Sequence, residues 1–111
     1  MNILTGDDFE GRILKDAGLI AVLFEAEWCP FCREFKLIFE LLRKSRVQSA
    51  VVNLSDIDSP LWETFCIDIV PTVLIFNSGN VIQRYDGVAG QGLNAAVVKE
   101  IVSQLESLQE S

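Results

Sequence analysis

Two cysteines separated by two residues are the side chains in this sequence best suited to chemistry. They are Cys29 and Cys32, within the segment "WCPFC", with Trp28 in front and Pro30 between them. A Cys-x-x-Cys pair can bind a metal, form a structural disulfide or exchange electrons with a substrate. The choice among these three roles determines most of what the sequence predicts about function.

Two of the three roles fit the composition poorly. A structural zinc site needs four ligands, usually Cys or His, but the chain has three cysteines and no histidine. Carboxylates or a second chain could complete a site, although no ligand spacing points to one. A disulfide between residues 29 and 32 closes a very small loop, so it removes little entropy from the unfolded chain and stabilises weakly.

The position of the pair favours redox chemistry. It follows the apolar run "LIAVLF" (19–24), which is typical of a strand buried on both faces. A helix is predicted to begin at the pair, with Pro30 at its first position. Free backbone N–H groups and the helix dipole there favour the thiolate of Cys29, which is the attacking species. Cys32 lies one turn further along and is placed to attack a mixed disulfide and release the product.

The remaining pattern predicts the elements that position the pair. Thr5, with Asp8 three residues later, predicts a capped helix that ends at Gly18. Strands are predicted at 50–54, 72–76 and 81–85, and the last two form a hairpin around "NSGN". Three further helices are predicted: one after the pair, one beginning at Pro60 and one at the C-terminus. Their apolar positions are Phe31, Phe35, Ile38, Phe39, Leu41 and Leu42, then Leu61, Trp62 and Phe65, then Leu93, Val97, Ile101, Leu105 and Leu108.

These elements predict the fold class. With a short first strand at "NIL" (2–4), the order is βαβαβαββα. That order implies an α/β fold with a central mixed sheet and helices on both faces. The length of 111 residues suits a single domain over 1–111.

Composition and charge exclude several functional classes. Nine Lys and Arg residues stand against sixteen Asp and Glu residues, giving a formal net charge of −7. An acidic chain repels phosphate groups, so binding to nucleic acid or to an anionic membrane surface is not expected. The apolar runs are too short to span a bilayer. The N-terminus lacks a basic segment followed by an apolar stretch, so we expect a cytoplasmic protein.

Three segments together resemble the thioredoxin family. "FEAEWCPFC" is similar to its active-site segment, "IVPTVLIFNSGNVI" to its proline-containing hairpin, and "YDGVAG" to the glycine loop that follows. The similarity covers nearly the whole chain. It implies the thioredoxin fold and a protein thiol–disulfide oxidoreductase that binds no cofactor and works through a redox-active Cys29–Cys32 disulfide.

The resemblance also implies roles for individual residues. Cys29 would be the nucleophile and Cys32 the resolving thiol. Pro71 would follow a cis peptide bond and face the pair, and the backbone of Val70 would pair with a substrate peptide. Trp28 would belong to the docking surface, although plain packing is an alternative reading of a large aromatic side chain. The implied substrate-binding set is Trp28, Pro30, Phe31, Val70, Pro71 and Gly87.

Some positions depart from the family pattern. The spacer is Pro-Phe where thioredoxins carry Gly-Pro, and it resembles the Cys-Pro-Tyr-Cys of glutaredoxins. Leu23 stands where the family has a buried aspartate, and Val52 or Asn53 stands where it has a lysine. Glu25 shares strand parity with Leu23, so it is a candidate proton relay, but a solvated position at the rim is the favoured reading. Cys66 is predicted to be a small buried side chain, with a regulatory or dimer-forming thiol as the alternative.

Three functions are compatible with these observations. The leading hypothesis is reduction of client-protein disulfides, with a thioredoxin reductase as the electron donor. A glutathione-dependent, glutaredoxin-like enzyme is favoured by the spacer, but disfavoured by the complete N-terminal unit and by Glu27, because glutathione is an anion. The third hypothesis is a binding module with weak turnover, although a protein that only binds its clients does not need both cysteines. An acidic surface with a small apolar rim suits a monomer that makes brief contacts.

Overall fold

The computed structural model describes residues 2–110 of the chain. Its elements follow in chain order: β1 (Asn2–Leu4), β2 (Phe9–Glu10), β3 (Ile13–Leu14), β4 (Ile20–Glu25), α1 (Pro30–Phe39), β5 (Gln48–Asn53), α2 (Leu61–Thr64), β6 (Thr72–Asn77), β7 (Asn80–Tyr85) and α3 (Ala95–Glu110).

A five-stranded mixed sheet in the order β1-β5-β4-β6-β7 forms the centre of the fold. β4 pairs in parallel with β5 and antiparallel with β6, and β6 and β7 form an antiparallel hairpin. All six residues of β4 are buried, as expected for an apolar run covered on both faces. The prediction of an α/β class with a mixed sheet is therefore confirmed.

Different elements pack against the two faces of the sheet. Ala21 and Leu23 of β4 point to the face covered by α1 and α3, where they pack in one cluster with Phe35 and Phe39. Val22 and Phe24 point to the other face. That face is covered by the β2–β3 hairpin and by α2. Its aromatic cluster has ring centroids 5.2–6.4 Å apart and contains Phe9, Phe24, Phe65 and Phe76.

The helix predicted between Thr5 and Gly18 is wrong except at its start. Thr5 caps a short helical turn. Its backbone N–H donates to the Asp8 carboxylate at 2.7 Å, and its hydroxyl accepts a backbone N–H of that turn. The turn covers only Gly6–Asp8, after which the chain reverses through Gly11 in a left-handed conformation (φ 60°). Glycine weakens a helix and favours this turn. Phe9 then pairs with Leu14 across the hairpin, and both side chains are buried.

The apolar stripe predicted on the helix after the cysteine pair is correct in its centre. Phe35, Phe39 and Leu42 are fully buried, whereas Phe31 and Leu41 are exposed. The helix ends at Phe39 and continues as a tighter 3₁₀ segment over Glu40–Lys44. The change in winding rotates the later side chains, so the predicted stripe does not continue through Leu41.

The other two predicted helices differ from the structure in detail. α2 is a single turn, and Pro60 immediately precedes it rather than forming its first residue. On α3, Val98, Ile101 and Leu105 are buried, whereas Leu108 is exposed. Both helices nevertheless occupy the predicted places in the chain, so the order of elements after β4 agrees with the prediction.

Candidate active site

The start of α1 places Cys29 where the sequence predicts. Cys29 is the N-cap residue, with extended backbone angles, and Pro30 is the first helical residue. The Cys29 sulfur accepts a hydrogen bond from the backbone N–H of Cys32 at 3.3 Å. The Cys32 amide and the positive end of the helix dipole therefore both act on this sulfur.

The second cysteine has a different environment. Cys32 is 1% exposed, and both it and Cys29 are free thiols. Burial raises the pKa of the Cys32 thiol from 9.0 to about 12, with further increases from a hydrogen bond to Cys29 and from the charges of Cys29 and Glu25. A hydrogen bond with the Ala26 backbone acts in the opposite direction. Cys32 therefore keeps its proton near neutral pH.

The loop before β6 lies directly against Cys29. The Cys29 thiol donates a hydrogen bond to the Val70 carbonyl oxygen at 3.4 Å. The peptide bond between Val70 and Pro71 is cis, as the family resemblance implies. The structure thus brings together residues separated by about forty positions in the chain.

A glycine loop closes the site beside Pro71. The Gly87 N–H donates to the Thr72 hydroxyl at 3.2 Å, and that hydroxyl donates to the Ile69 carbonyl at 2.6 Å. A Cβ atom at position 87 would collide with the Pro71 carbonyl oxygen and press on Ile69. Only glycine allows the two loops to approach this closely. Thr72 is therefore a site residue that the sequence analysis missed, although its place beside Pro71 could have indicated it.

Arg84 was also missed, and it connects the end of α2 to the glycine loop. Its guanidinium donates to the backbone carbonyls of Phe65 at 2.9 Å and Cys66 at 3.2 Å. It also forms an ion pair with Asp86 at 2.7 Å, and this hydrogen bond raises the pKa of Arg84. The end of α2 is thereby tied to the residue that precedes Gly87. A single arginine in an exposed strand gave no sequence signal for this role.

Two tryptophans form an aromatic surface next to the cysteine pair. Trp28 is 55% exposed, so the structure favours a surface position over plain packing. Its indole stacks on Trp62 with ring centroids 6.4 Å apart and an interplanar angle of 12°. Pro30 and Phe31 are also exposed, and Phe31 packs against the backbone at Gly92. The predicted substrate-binding residues therefore lie together around Cys29.

Glu25 does not lie at a solvated rim, so the favoured sequence interpretation was wrong. It is 6% exposed, and its Oε1 atom lies 3.5 Å from the Nζ atom of Lys36. It is the last residue of β4 and points to the same side as Leu23, which is fully buried. The cause of the burial is α1, which covers this end of the strand and supplies Lys36.

Cys66 is exposed, which corrects the prediction that it is buried. The chain turns sharply after α2, and Cys66 takes a left-handed backbone conformation with φ 52°. The neighbouring Phe65 and Ile67 fill the core instead. Sequence periodicity could not reveal this reversal, because α2 is only one turn long.

Two features are absent from residues 2–110. No group of three or more His, Cys, Asp or Glu side chains there could hold a metal ion. In the same part of the chain, no helix has both the length and the apolar composition needed to cross a membrane.

Comparison with known proteins assigns the family. The family model for thioredoxin matches residues 1–100. Thioredoxin H4 of Arabidopsis thaliana is 32% identical over 83 residues, covering 73% of this chain and 70% of its own length. Thioredoxin of Chlamydia pneumoniae is 31% identical over 90 residues, covering 79% and 85%. The mitochondrial thioredoxin of Mus musculus is 26% identical over 103 residues, and the match spans 91% of this chain but 62% of that protein.

A solved structure supports the fold. The crystal structure of Chlamydomonas reinhardtii thioredoxin f2 matches with a TM-score of 0.73 and covers 94% of both chains at 18% identity. Fold and cysteine spacing together define a thiol–disulfide oxidoreductase. The chain belongs to the thioredoxin family, and it is a protein-disulfide oxidoreductase of the thioredoxin type.

Proposed function

We propose that this protein reduces disulfide bonds in client proteins by two successive thiol–disulfide exchanges. One observation supports this proposal above the others. The Cys29 sulfur sits at the start of α1, accepts the N–H of Cys32 and lies 3.4 Å from the Val70 carbonyl. The sulfur that we propose as the nucleophile thus contacts both the backbone amide of Cys32 and the carbonyl that we propose to lie next to a bound client peptide.

The first exchange begins with the Cys29 thiolate. It attacks one sulfur of the client disulfide and forms a mixed disulfide, while the other client sulfur leaves as a thiolate. In the second exchange Cys32 loses its proton and attacks the Cys29 sulfur. The bond from Cys29 to the client breaks, and the client leaves as a dithiol with two added electrons. The protein is left with a Cys29–Cys32 disulfide.

We assign the proton acceptor in the second exchange to Glu25. Cys32 needs such an acceptor because its pKa is raised to about 12. Formation of the mixed disulfide removes the charge on Cys29, which lowers the barrier to deprotonation but leaves the effect of burial. Glu25 is a buried carboxylate at the end of the strand that leads into the cysteine pair. Lys36 keeps it close to α1, and a water molecule can carry the proton between the two side chains.

An external thiol reductant must then return two electrons to the Cys29–Cys32 disulfide. We propose a thioredoxin reductase in this role. Glutathione is the alternative donor, favoured by the Pro-Phe spacer, but Glu27 is exposed beside the pair and repels an anionic thiol. The cytoplasmic location and the monomeric state stay predictions.

The test uses cysteine variants built on Cys66→Ser, which removes the exposed third thiol. Cys32→Ser is expected to accumulate a covalent complex with a disulfide-bearing protein such as insulin, seen as a band that disappears on reduction. Cys29→Ser is the matched control and should form none. Equal trapping by the two variants would contradict the assigned order of attack.

A second assay identifies the electron donor. Reduction of the same protein disulfide is followed with a thioredoxin reductase and NADPH, or with glutathione and glutathione reductase. Turnover with the first system at least about tenfold faster supports the proposal, since the glutathione thiolate must approach an acidic surface. Faster turnover with glutathione would assign the glutaredoxin-like alternative.

A further inference from the structure

We propose that the stacked indoles of Trp28 and Trp62, together with the carboxylates of Glu27, Asp56 and Asp58, bind basic side chains next to the client disulfide. The protein would then prefer clients whose disulfide is flanked by Arg or Lys. This inference rests on the proposed function, because it names the class of client that the same site accepts. We refer to these five residues as the acidic aromatic surface.

The two indoles are held in fixed positions. The indole N–H of Trp28 donates to the Ser55 carbonyl at 2.9 Å, and that of Trp62 donates to the Asp56 carbonyl at 3.1 Å. Both acceptors belong to the same loop, which follows β5. Each ring is therefore held at its N–H edge by the loop after β5, and the two rings stack on each other. An aromatic face that is already ordered loses little entropy when a ligand stacks on it.

The carboxylates are tied to the same loop. The backbone N–H of Glu27 donates to the Ser55 hydroxyl at 2.8 Å, and Oε1 of Glu27 accepts from Asn53 at 3.4 Å. Asp56 accepts the backbone N–H of Asp58 at 2.9 Å through its Oδ1 atom. Glu27, Asp56 and Asp58 are all exposed. Glu27 adjoins Trp28 in the sequence, and Asp56 and Asp58 belong to the loop that binds both indole N–H groups, so three acidic residues lie on the segments that carry the rings.

Among the described residues, no ion pair involves these three carboxylates. The two ion pairs within residues 2–110 are Glu25 with Lys36 and Arg84 with Asp86. Glu27, Asp56 and Asp58 are exposed and have no basic partner within this part of the chain, in a protein whose formal net charge is −7. A field of this sign attracts cationic ligands and repels acidic ones.

Charge and ring geometry together select one occupant. A guanidinium or ammonium group is attracted to the face of an indole, and carboxylates at the edge of the ring add charge-assisted hydrogen bonds. An apolar client segment would gain from the rings but not from the carboxylates. An acidic segment would be repelled. A basic segment beside the disulfide is the ligand that uses both features.

The experiment compares two peptides that contain the same intramolecular disulfide and differ only in the flanking residues, Arg in one and Glu in the other. Pre-reduced protein is mixed with each peptide in a single turnover, so that no reductase takes part. At low salt the Arg peptide is expected to react about tenfold faster, and the difference should shrink as salt screens the charges. Equal rates at low salt would overturn the inference, while the proposed function would stand.

Variants separate the charges from the rings. Asp56→Asn retains the Oδ1 acceptor but removes a charge, and it should lower the ratio of the two rates about twofold. Glu40→Gln makes the same change in charge at the far end of α1 and should leave the ratio unchanged. Trp62→Leu should lower the ratio about two- to fivefold, the size of a cation–π contact at an exposed site. Equal slowing of both peptides by Trp62→Leu would contradict recognition of a cation.

Two further measurements complete the test. Circular dichroism and thermal unfolding show whether the Trp62→Leu variant keeps the fold. If it does not, the Asp56→Asn variant still tests the inference, because both indoles stay in place. A neutral small disulfide, 2-hydroxyethyl disulfide, is reduced in parallel. If the wild-type protein reduces neither this compound nor either peptide, the proposed function itself fails.

Discussion

The Nζ atom of Lys36 lies 3.5 Å from Oε1 of Glu25, a carboxylate whose side chain is 8% exposed. Lys36 is four residues after Cys32 on α1, so the two side chains point to the same side of the helix. The ion pair therefore lies one helical turn from the resolving thiol. This relationship links strand β4, which supplies the carboxylate, to the helix that carries both cysteines.

The first prediction concerns the proton relay. Glu25→Gln should slow release of the client from the mixed disulfide by at least about tenfold at neutral pH, because general-base catalysis typically contributes about 10²–10⁴-fold and water replaces part of it. The formation of the mixed disulfide should be unaffected. Stopped-flow measurement of both steps between about pH 6 and 9 separates them. Identical kinetics of the variant and the wild type over this range would exclude the relay.

The second prediction concerns the energy of the same ion pair. Lys36→Met removes the partner of a buried carboxylate and should lower the free energy of unfolding by about 1–2 kcal/mol, less than for a fully buried pair because Lys36 is 42% exposed. The double variant with Glu25→Gln should lose less than the sum of the single losses. Urea unfolding of the four proteins measures the coupling. Strict additivity would show that the two side chains do not interact.

The third prediction follows from the raised pKa of Cys32. Below pH 9 the thiol is protonated in both the folded and the unfolded chain. Between pH 9 and about 12 the unfolded chain loses this proton and the folded chain keeps it, so the folded state binds more protons and its stability falls as pH rises. The reduced wild-type protein should therefore lose stability relative to Cys32→Ser as pH rises above 9. A constant difference between pH 7 and 10.5, from urea unfolding under a reductant, would contradict the raised pKa.

The fourth prediction concerns the contact between Gly87 and the Pro71 loop. Gly87→Ala places a methyl group against the Pro71 carbonyl and Ile69. The loops must separate, so we expect a loss of about 1–3 kcal/mol in stability and a higher KM for protein clients. Gly6→Ala is the matched control, since nothing lies within 4 Å of its added methyl group. The prediction fails if both variants unfold at the same temperature as the wild type.

The fifth prediction concerns the backbone at Cys66. Its left-handed conformation (φ 52°) is unfavourable for a residue with a side chain. Cys66→Gly should therefore raise the free energy of unfolding by about 1 kcal/mol or less, and Cys66→Ser should leave it nearly unchanged. In the oxidised wild-type protein, the exposed Cys66 should be the one thiol that reacts with a maleimide. A destabilised Cys66→Gly would show that the cysteine side chain makes a contact of its own.

Much of the site could be predicted from the sequence, because its signals are local. The apolar run, the Cys-x-x-Cys and Pro30 lie within fourteen residues and determine a strand followed by a helix start. The order of elements along the chain and the hairpin followed from turn residues and strand-length apolar runs. The cis bond before Pro71 was implied by the resemblance and is present in the structure.

The errors occurred where local and tertiary signals disagree. Phe9 and Ile13 have helical spacing, yet pairing of Phe9 with Leu14 buries both side chains in the aromatic cluster and outweighs a weak helix that contains glycine. The burial of Glu25 depends on how α1 crosses the end of β4, which strand parity does not specify. Arg84 acts on the backbone carbonyls of Phe65 and Cys66, which are distant in the chain, and such contacts leave no pattern in a single sequence.

The hydrogen bond from the Cys32 amide to the Cys29 sulfur has a practical consequence. Its acceptor is a thiol or thiolate in the reduced protein and a neutral bridged sulfur in the oxidised one. The electron density around that proton therefore changes with every turnover, while the helix that carries it need not move. One backbone resonance in an ¹⁵N-labelled sample can thus report the proportions of the two redox forms, without any dye or tag attached to the protein.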